Sequence, residues 1–233
     1  MMCISMLIFK FPSVTSTQDL AEAIYQIINA DEFVIVAEEQ TRARGRYKRE
    51  WYSPKGGLWF TYVIKNYNAE KIPFLTFRSS LAVRKVLSTF LNVKIRWPND
   101  IVYGKRKISG ILIEGISEGA NSTVFIGIGI DTNVKSLPEE LSATSLYLEL
   151  NREVDNDKML NEIINEIKNY EKISDKEIID EINEHLSIKD KKVKLISKSE
   201  ERNCLALFVD YYGRLVTECG IFEVEDILRV IEE

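Results

Sequence analysis

Between Arg42 and Arg49 the chain places five cations, Arg42, Arg44, Arg46, Lys48 and Arg49, in eight positions. Charge at that density does not enter an apolar core unpaired, so regular structure must break there. The flanking segments read as strands: FVIVAEE from Phe33 and GLWFTYVI from Gly57, rich in β-branched and aromatic residues. The basic stretch is therefore predicted to be a loop joining two strands at a sheet edge. The whole chain carries a formal net charge of −5, so the positive surplus is local and argues against nucleic-acid binding by the surface at large.

With 233 residues, 45% hydrophobic and 29% charged, the chain suits one large domain or a domain with a small appendage. The start, MMCISMLIFKFPSV, lacks the charged n-region and small-residue cleavage site of a leader and reads as a first strand. No apolar run approaches the roughly 20 residues that span a bilayer, and the expectation is a cytoplasmic protein with no membrane partner. Cys3, Cys204 and Cys219 are scattered, with no C-x-x-C pair, and His185 is the single histidine. Neither a zinc site nor a disulfide framework is expected; free thiols fit a reducing compartment. No metal ligand can be named.

A helix is predicted over STQDLAEAIYQIINA, where Leu20, Ala23, Ile24, Ile27 and Ile28 recur at helical spacing and Ser16 with Asp19 forms an N-cap pattern. Pro73 to Phe90 has the spacing of a core-packed helix. VKIRWPND, KISGILIEGI and STVFIGIGIDTN resemble successive strands. Helical periodicity returns from Asp155 to Leu186, with Ser174 and Glu177 marking a second start. After about residue 187 short strands follow, with a turn at Tyr212-Gly213. The fold class is α+β: a mixed, largely antiparallel sheet with packed helices. The division is 1–187 for the main domain and 188–233 for a minor β domain.

Two nucleotide motifs fail on inspection. GIGIDT, Gly127 to Thr132, lacks the third glycine of G-x-G-x-x-G and no helical pattern follows it; it reads as a strand whose glycines admit close approach. Gly104-Lys105 lacks the remainder of a phosphate-binding loop. The basic loop has neighbours of its own. Gly45 relaxes the backbone between two arginines, Trp51 offers an aromatic plane, and Ser53-Pro54 and Gly56-Gly57 supply a turn and a close approach. A solvated hairpin and an anion site both account for this charge. Likewise WPND is either a plain Pro-Asn-Asp turn or a strand end presenting Asn99 and Asp100. Lys107 is either solvated or aimed at a phosphate, where it would neutralise developing charge.

Taken together, SerThrGln at 16–18, Gln40 followed by ARGRYKREWYSPKGGL, RWPNDI from Arg96 and KISGILIE from Lys107 resemble the biotin–protein ligases, in that family's order and at its intervals. The resemblance spans about residues 9–133. It implies a catalytic fold like that of class II aminoacyl-tRNA synthetases, with a small SH3-like β-barrel at the C-terminus. It implies two steps: biotin and Mg-ATP give biotinyl-5′-AMP and pyrophosphate, and a carrier-domain lysine then takes the biotinyl group and releases AMP. ATP with Mg²⁺ and biotin are thus substrates and ion, and the partner is a biotin carboxyl carrier domain of a carboxylase. A homodimer is compatible with exposed sheet edges.

By the same resemblance Lys107, Arg46 and Arg44 are the catalytic cations. Biotin falls to Ser16, Thr17, Gln18, Gln40, Arg44, Gly56, Gly57, Lys107 and Gly110. ATP and the adenylate fall to Arg46, Arg49, Trp51, Asn99, Lys107, Asp131 and Asn133. Two positions depart from the family's pattern. Ala43 replaces the first glycine of Gly-Arg-Gly-Arg, a strain of about 1 kcal/mol or more if the site needs positive φ. Asp131 replaces the first asparagine of Gly-Ile-Asn-x-Asn. The motifs begin by residue 16, which points to a single-function ligase without a DNA-binding domain. The rival readings are a lipoate–protein ligase or octanoyltransferase of the same fold, and a nucleic-acid-binding module using the basic loop.

Overall fold

The computed structural model describes residues 6–119 and 121–232, so Cys3 lies outside the described residues. The chain opens with β1 (Leu7–Phe11), α1 (Thr17–Ile24), β2 (Glu32–Ala37), β3 (Leu58–Asn68) and α2 (Ile72–Leu87). Next come β4 (Lys94–Arg96), β5 (Asp100–Tyr103), β6 (Arg106–Glu118), β7 (Asn121–Ile130), α3 (Leu146–Leu150), α4 (Asn156–Tyr170) and α5 (Asp175–Glu184). The last five strands are β8 (Lys191–Ser197), β9 (Glu201–Val209), β10 (Leu215–Thr217), β11 (Gly220–Phe222) and β12 (Ile227–Glu232). The α+β class is as the sequence implies, and the chain divides into two compact units.

The first unit holds the chain up to Leu75 and Ile108–Leu160. Its strands run β1-β2-β3-β7-β6, with β1 parallel to β2 and the remaining pairs antiparallel. Ser16 caps α1 by accepting the N–H of Asp19 at 3.2 Å. The helix then buries Ala21 and Tyr25 against Phe33, Ile35, Val63 and Phe125 of three strands. The crossover through α1 leaves β1 outside β2, so the basic loop joins two interior strands rather than edge strands. α3 escapes sequence reading because five residues are too few to show a helical period.

Along β7 the face that carries Phe125 continues to Gly127 and Gly129 (period 2 along a strand), and the covering apolar side chains give way to glycine. A Cβ at Gly127 would lie 2.6 Å from Gln18 Oε1, and one at Gly129 would lie 2.5 Å from Trp51 Nε1. GIGI is therefore strand, as expected, while its glycines admit the side chains of Gln18 and Trp51 where a close backbone approach was expected. Gly110 of β6 pairs with Gly129, which widens the bare strip.

The second unit holds Thr76–Lys107 and Asn161–Glu233. The WPND turn closes a β4–β5 hairpin, and α5 begins with a capping box between Ser174 and Glu177. The C-terminal strands form an open sheet in the order β11-β10-β9-β8-β12. Trp97 is 1% exposed and donates its indole N–H to Gly213 O at 2.9 Å, in the expected Tyr212-Gly213 turn. Cys204 and Cys219 form a disulfide, with Cα atoms 5.8 Å apart. This corrects the expectation of free thiols. The antiparallel return from β9 to β10 brings together two cysteines that sequence spacing leaves unrelated. Among the described residues no helix is long and apolar enough to cross a membrane.

Candidate functional site

A polar nest forms in the first unit where α1 starts. Gln40 Oε1 accepts both the backbone N–H of Thr17 at 2.8 Å and its hydroxyl at 3.2 Å, while Gln40 Nε2 donates to Ser53 Oγ at 2.9 Å. Thr61 Oγ1 lies 3.0 Å from both Thr17 Oγ1 and Gln18 Oε1, and Gln18 Nε2 donates to Phe125 O. Ser16, Thr17, Gln18, Ser53 and Thr61 are all buried. Buried donors and acceptors so linked hold one another in a fixed orientation, which suits a small polar ligand of fixed shape. Ser16, Thr17, Gln18 and Gln40 are thus brought together, while Ser53 and Thr61 are members that sequence reading missed. Ser16 Oγ is engaged by its helix cap.

The basic loop is pinned at its root by main-chain bonds. Thr41 and Arg42 donate to Val14 O and Thr15 O, and Trp51 donates to Ala43 O. Ala43 is buried and outside the positive-φ set, so the anticipated strain is absent. Gly45 also departs from expectation: its φ of −102° and ψ of −162° are open to any residue, and its N–H donates to Arg49 O. The left-handed residues are Tyr47 and Lys48, both at φ 58°. Arg46 stacks 5.0 Å from the Tyr47 ring centroid and donates to its hydroxyl. Arg49 is exposed. Trp51 lies over Gly129 and meets Trp59 edge-on, with centroids 6.4 Å apart.

Arg44 is held by two carboxylates. Its Nε and Nη2 donate to Asp19 Oδ1 at 3.1 and 2.9 Å, and its Nη1 donates to Glu114 Oε1 at 2.5 Å. The bond from Glu114 leads the effects that push the guanidinium pKa above its ordinary value, against an opposing contribution from burial. Asn133 is likewise engaged within the fold, exchanging two bonds with the backbone of Val154. Asp131 is buried at the end of β7, its N–H donating to Ile108 O. Gly56 and Gly57 line a cavity of about 410 Å³ with Lys10, Glu38, Lys55 and Asn156.

Lys107 and Asn99 belong to the second unit. Asn99 sits in the turn between β4 and β5. Lys107 Nζ contacts Asp100 Oδ1 at 2.5 Å, and Arg96 Nη2 holds the other oxygen at 2.9 Å. Burial by itself would raise the Asp100 pKa, but the two cations outweigh it and hold the carboxyl below the usual range. The aspartate of WPND is therefore the partner of the lysine in KISGILIE, a link the sequence motifs do not reveal. Lys107 and Gly110 share β6, three residues apart.

The model of the Biotin/lipoate A/B protein ligase family matches residues 10–131. The bifunctional ligase/repressor BirA of Bacillus spizizenii is 32% identical over 160 residues, covering 65% of this chain and 49% of that protein. The biotin–protein ligase of Schizosaccharomyces pombe is 27% identical over 194 residues, 70% of this chain and 30% of that protein. The chain thus spans about half or less of the length of these curated relatives. Among solved structures, a biotin protein ligase from Aquifex aeolicus in complex with biotin and ATP has a TM-score of 0.83 at 26% identity, covering 97% of this chain and 99% of that one. The Leishmania major enzyme in complex with biotinyl-5-AMP has a TM-score of 0.69 at 25% identity, covering 97% and 98%.

Proposed function

Since the chain belongs to the biotin/lipoate A/B protein ligase family, we propose that it is a biotin–protein ligase. The observation that carries this reading is the buried Thr17–Gln40–Ser53 nest beside the Gly127–Gly129 strip. A cyclic urea presents two N–H donors and one carbonyl acceptor, and amide and hydroxyl groups complement both. A lipoyl or octanoyl chain brings no urea-like pair of N–H donors and carbonyl, and so nothing to exchange for the bonds these groups make to one another.

In the first half-reaction a biotin carboxylate oxygen attacks the α-phosphorus of ATP, and the bond to pyrophosphate breaks. Two anions must meet for this, and a site with preplaced cations lowers the cost. In this reading Lys107 serves the biotin carboxylate and α-phosphate, Arg46 and Arg49 serve the phosphates, and Asn99 serves the nucleotide. Trp51 covers the adenylate, and Asp131 marks the end of its strand. In the second half-reaction a lysine amine attacks the acyl carbon, loses a proton and expels AMP. Magnesium enters with ATP, held chiefly by phosphate oxygens and water; among the described residues no cluster of three or more His, Cys, Asp or Glu side chains stands ready to cage an ion.

The acceptor in this reading is a biotin carboxyl carrier domain, the protein is cytoplasmic, and a homodimer is its assembly. Residues 1–187 carry the chemistry, and 188–233 form an SH3-like accessory domain. ATP–pyrophosphate exchange tests the core of it. Exchange that requires biotin, and is absent with lipoate or octanoate, is the expected result. Exchange with lipoate instead reassigns the substrate, and none with any acid rejects the ligase reading. Within the same assay Lys107→Ala is expected to lower the rate about 10²–10³-fold.

A further inference from the structure

We infer that Asp19 and Glu114 are positioning residues, which hold the root of the basic loop through Arg44; the inference rests on the ligase reading above. Arg44 directs three N–H donors at two carboxylates, one on α1 and one on β6. Its guanidinium therefore bridges a helix and a strand of the first unit, and the loop backbone hangs from that bridge. The residues beyond it fold back on themselves, since Gly45 N–H donates to Arg49 O and the backbone of Arg44 forms an antiparallel bridge with that of Glu50. Where Arg44 sits fixes where the Arg46–Arg49 tip begins.

The electrostatics point the same way. Arg44, Asp19 and Glu114 are partly exposed, at 24%, 48% and 36%, and ion pairs in such surroundings add little to stability. Planar, multi-donor pairing by arginine fixes geometry well. In this pairing Arg44 masks two carboxylates that would repel a polyanion. Arg44 thus acts as a tether, where the sequence motif alone suggests a catalytic cation.

Asp19→Asn and Glu114→Gln test this. Asp19→Asn leaves the helix cap in place, because Ser16 bonds only the backbone N–H of residue 19. Each substitution is expected to raise the KM for biotin in the exchange assay about tenfold with kcat lowered less. AMP released per carrier domain biotinylated should rise, as a loosened loop lets the adenylate escape to water. Asp19→Glu should restore both. In the Asp19→Asn, Glu114→Gln background, Arg44→Gln should cost little more, since nothing remains for it to hold. If Arg44→Gln is as damaging there as in the wild type, Arg44 acts on substrate directly and the inference falls. Hydrogen exchange of amides 42–49 in the ligand-free protein gives a readout that needs no turnover. Faster exchange in the two carboxylate variants supports the tether, and unchanged exchange overturns it. A wild type without biotin-dependent exchange would reject the ligase reading and leave that amide result to decide the tether.

Discussion

At Gly129 one methyl group decides whether Trp51 can lie where it does, for a Cβ would sit 2.5 Å from the indole nitrogen. Gly129→Ala is expected to destabilise by about 1–3 kcal/mol, the range for overpacking. Trp51→Ala in the same chain should recover part of that loss, a non-additivity that thermal unfolding of the single and double variants measures. Asp100 gives a prediction with a pH sign. Its folded pKa is depressed by Lys107 and Arg96 against the opposing effect of burial, so the unfolded chain takes up a proton first as pH falls. The stability it adds is full above the ordinary carboxylate value of about 3.9 and is lost as pH drops through the lower folded value. The Tm gap between wild type and Asp100→Asn should follow that course. Side-chain types were readable from the sequence here, but partners were not. Arg44 meets residues 25 and 70 positions away, and no local pattern encodes such a pairing.

Elements were more legible than their neighbours in space. The cap at Ser16, the capping box at Ser174 and Glu177, and the strands around the basic loop all follow from residue types within four or five positions. The position of β1 outside β2 did not, because a parallel pair joined by a helix leaves no turn signature between the strands. Gly45 misled for a related reason. Glycine permits positive φ without requiring it, and the loop places that conformation at Tyr47 and Lys48. Two left-handed residues in succession, neither glycine, make the tip costly to hold unaided. The segment Arg42–Arg49 is expected to exchange its amides readily in the free protein and to become protected with biotin and ATP bound. Equal protection in both states would count against a closing loop.

For the molecule as a whole, α+β architecture and the order of motifs came from local patterning, while the covalent link within the C-terminal sheet did not. The Cys204–Cys219 bond closes a loop of sequence separation 15, for which chain-entropy arguments give about 3 kcal/mol. Reduction should lower Tm accordingly. Thiol titration of the unreduced, denatured protein should find one reactive group per chain, Cys3, where the sequence alone would suggest three.

The hydrogen bond from Trp97 to Gly213 spans 116 residues, and this has a consequence for how the protein is made. A ribosome delivers the WPND turn long before the carbonyl that satisfies its indole. At about 5–20 residues per second, the tryptophan waits on the order of six to twenty seconds for that partner. Until Gly213 has emerged, a nascent chain carries this motif with its indole N–H given to water instead of to the carbonyl that holds it in the folded protein. A message cut short after the last catalytic motif would therefore yield a chain whose WPND turn never reaches its finished form.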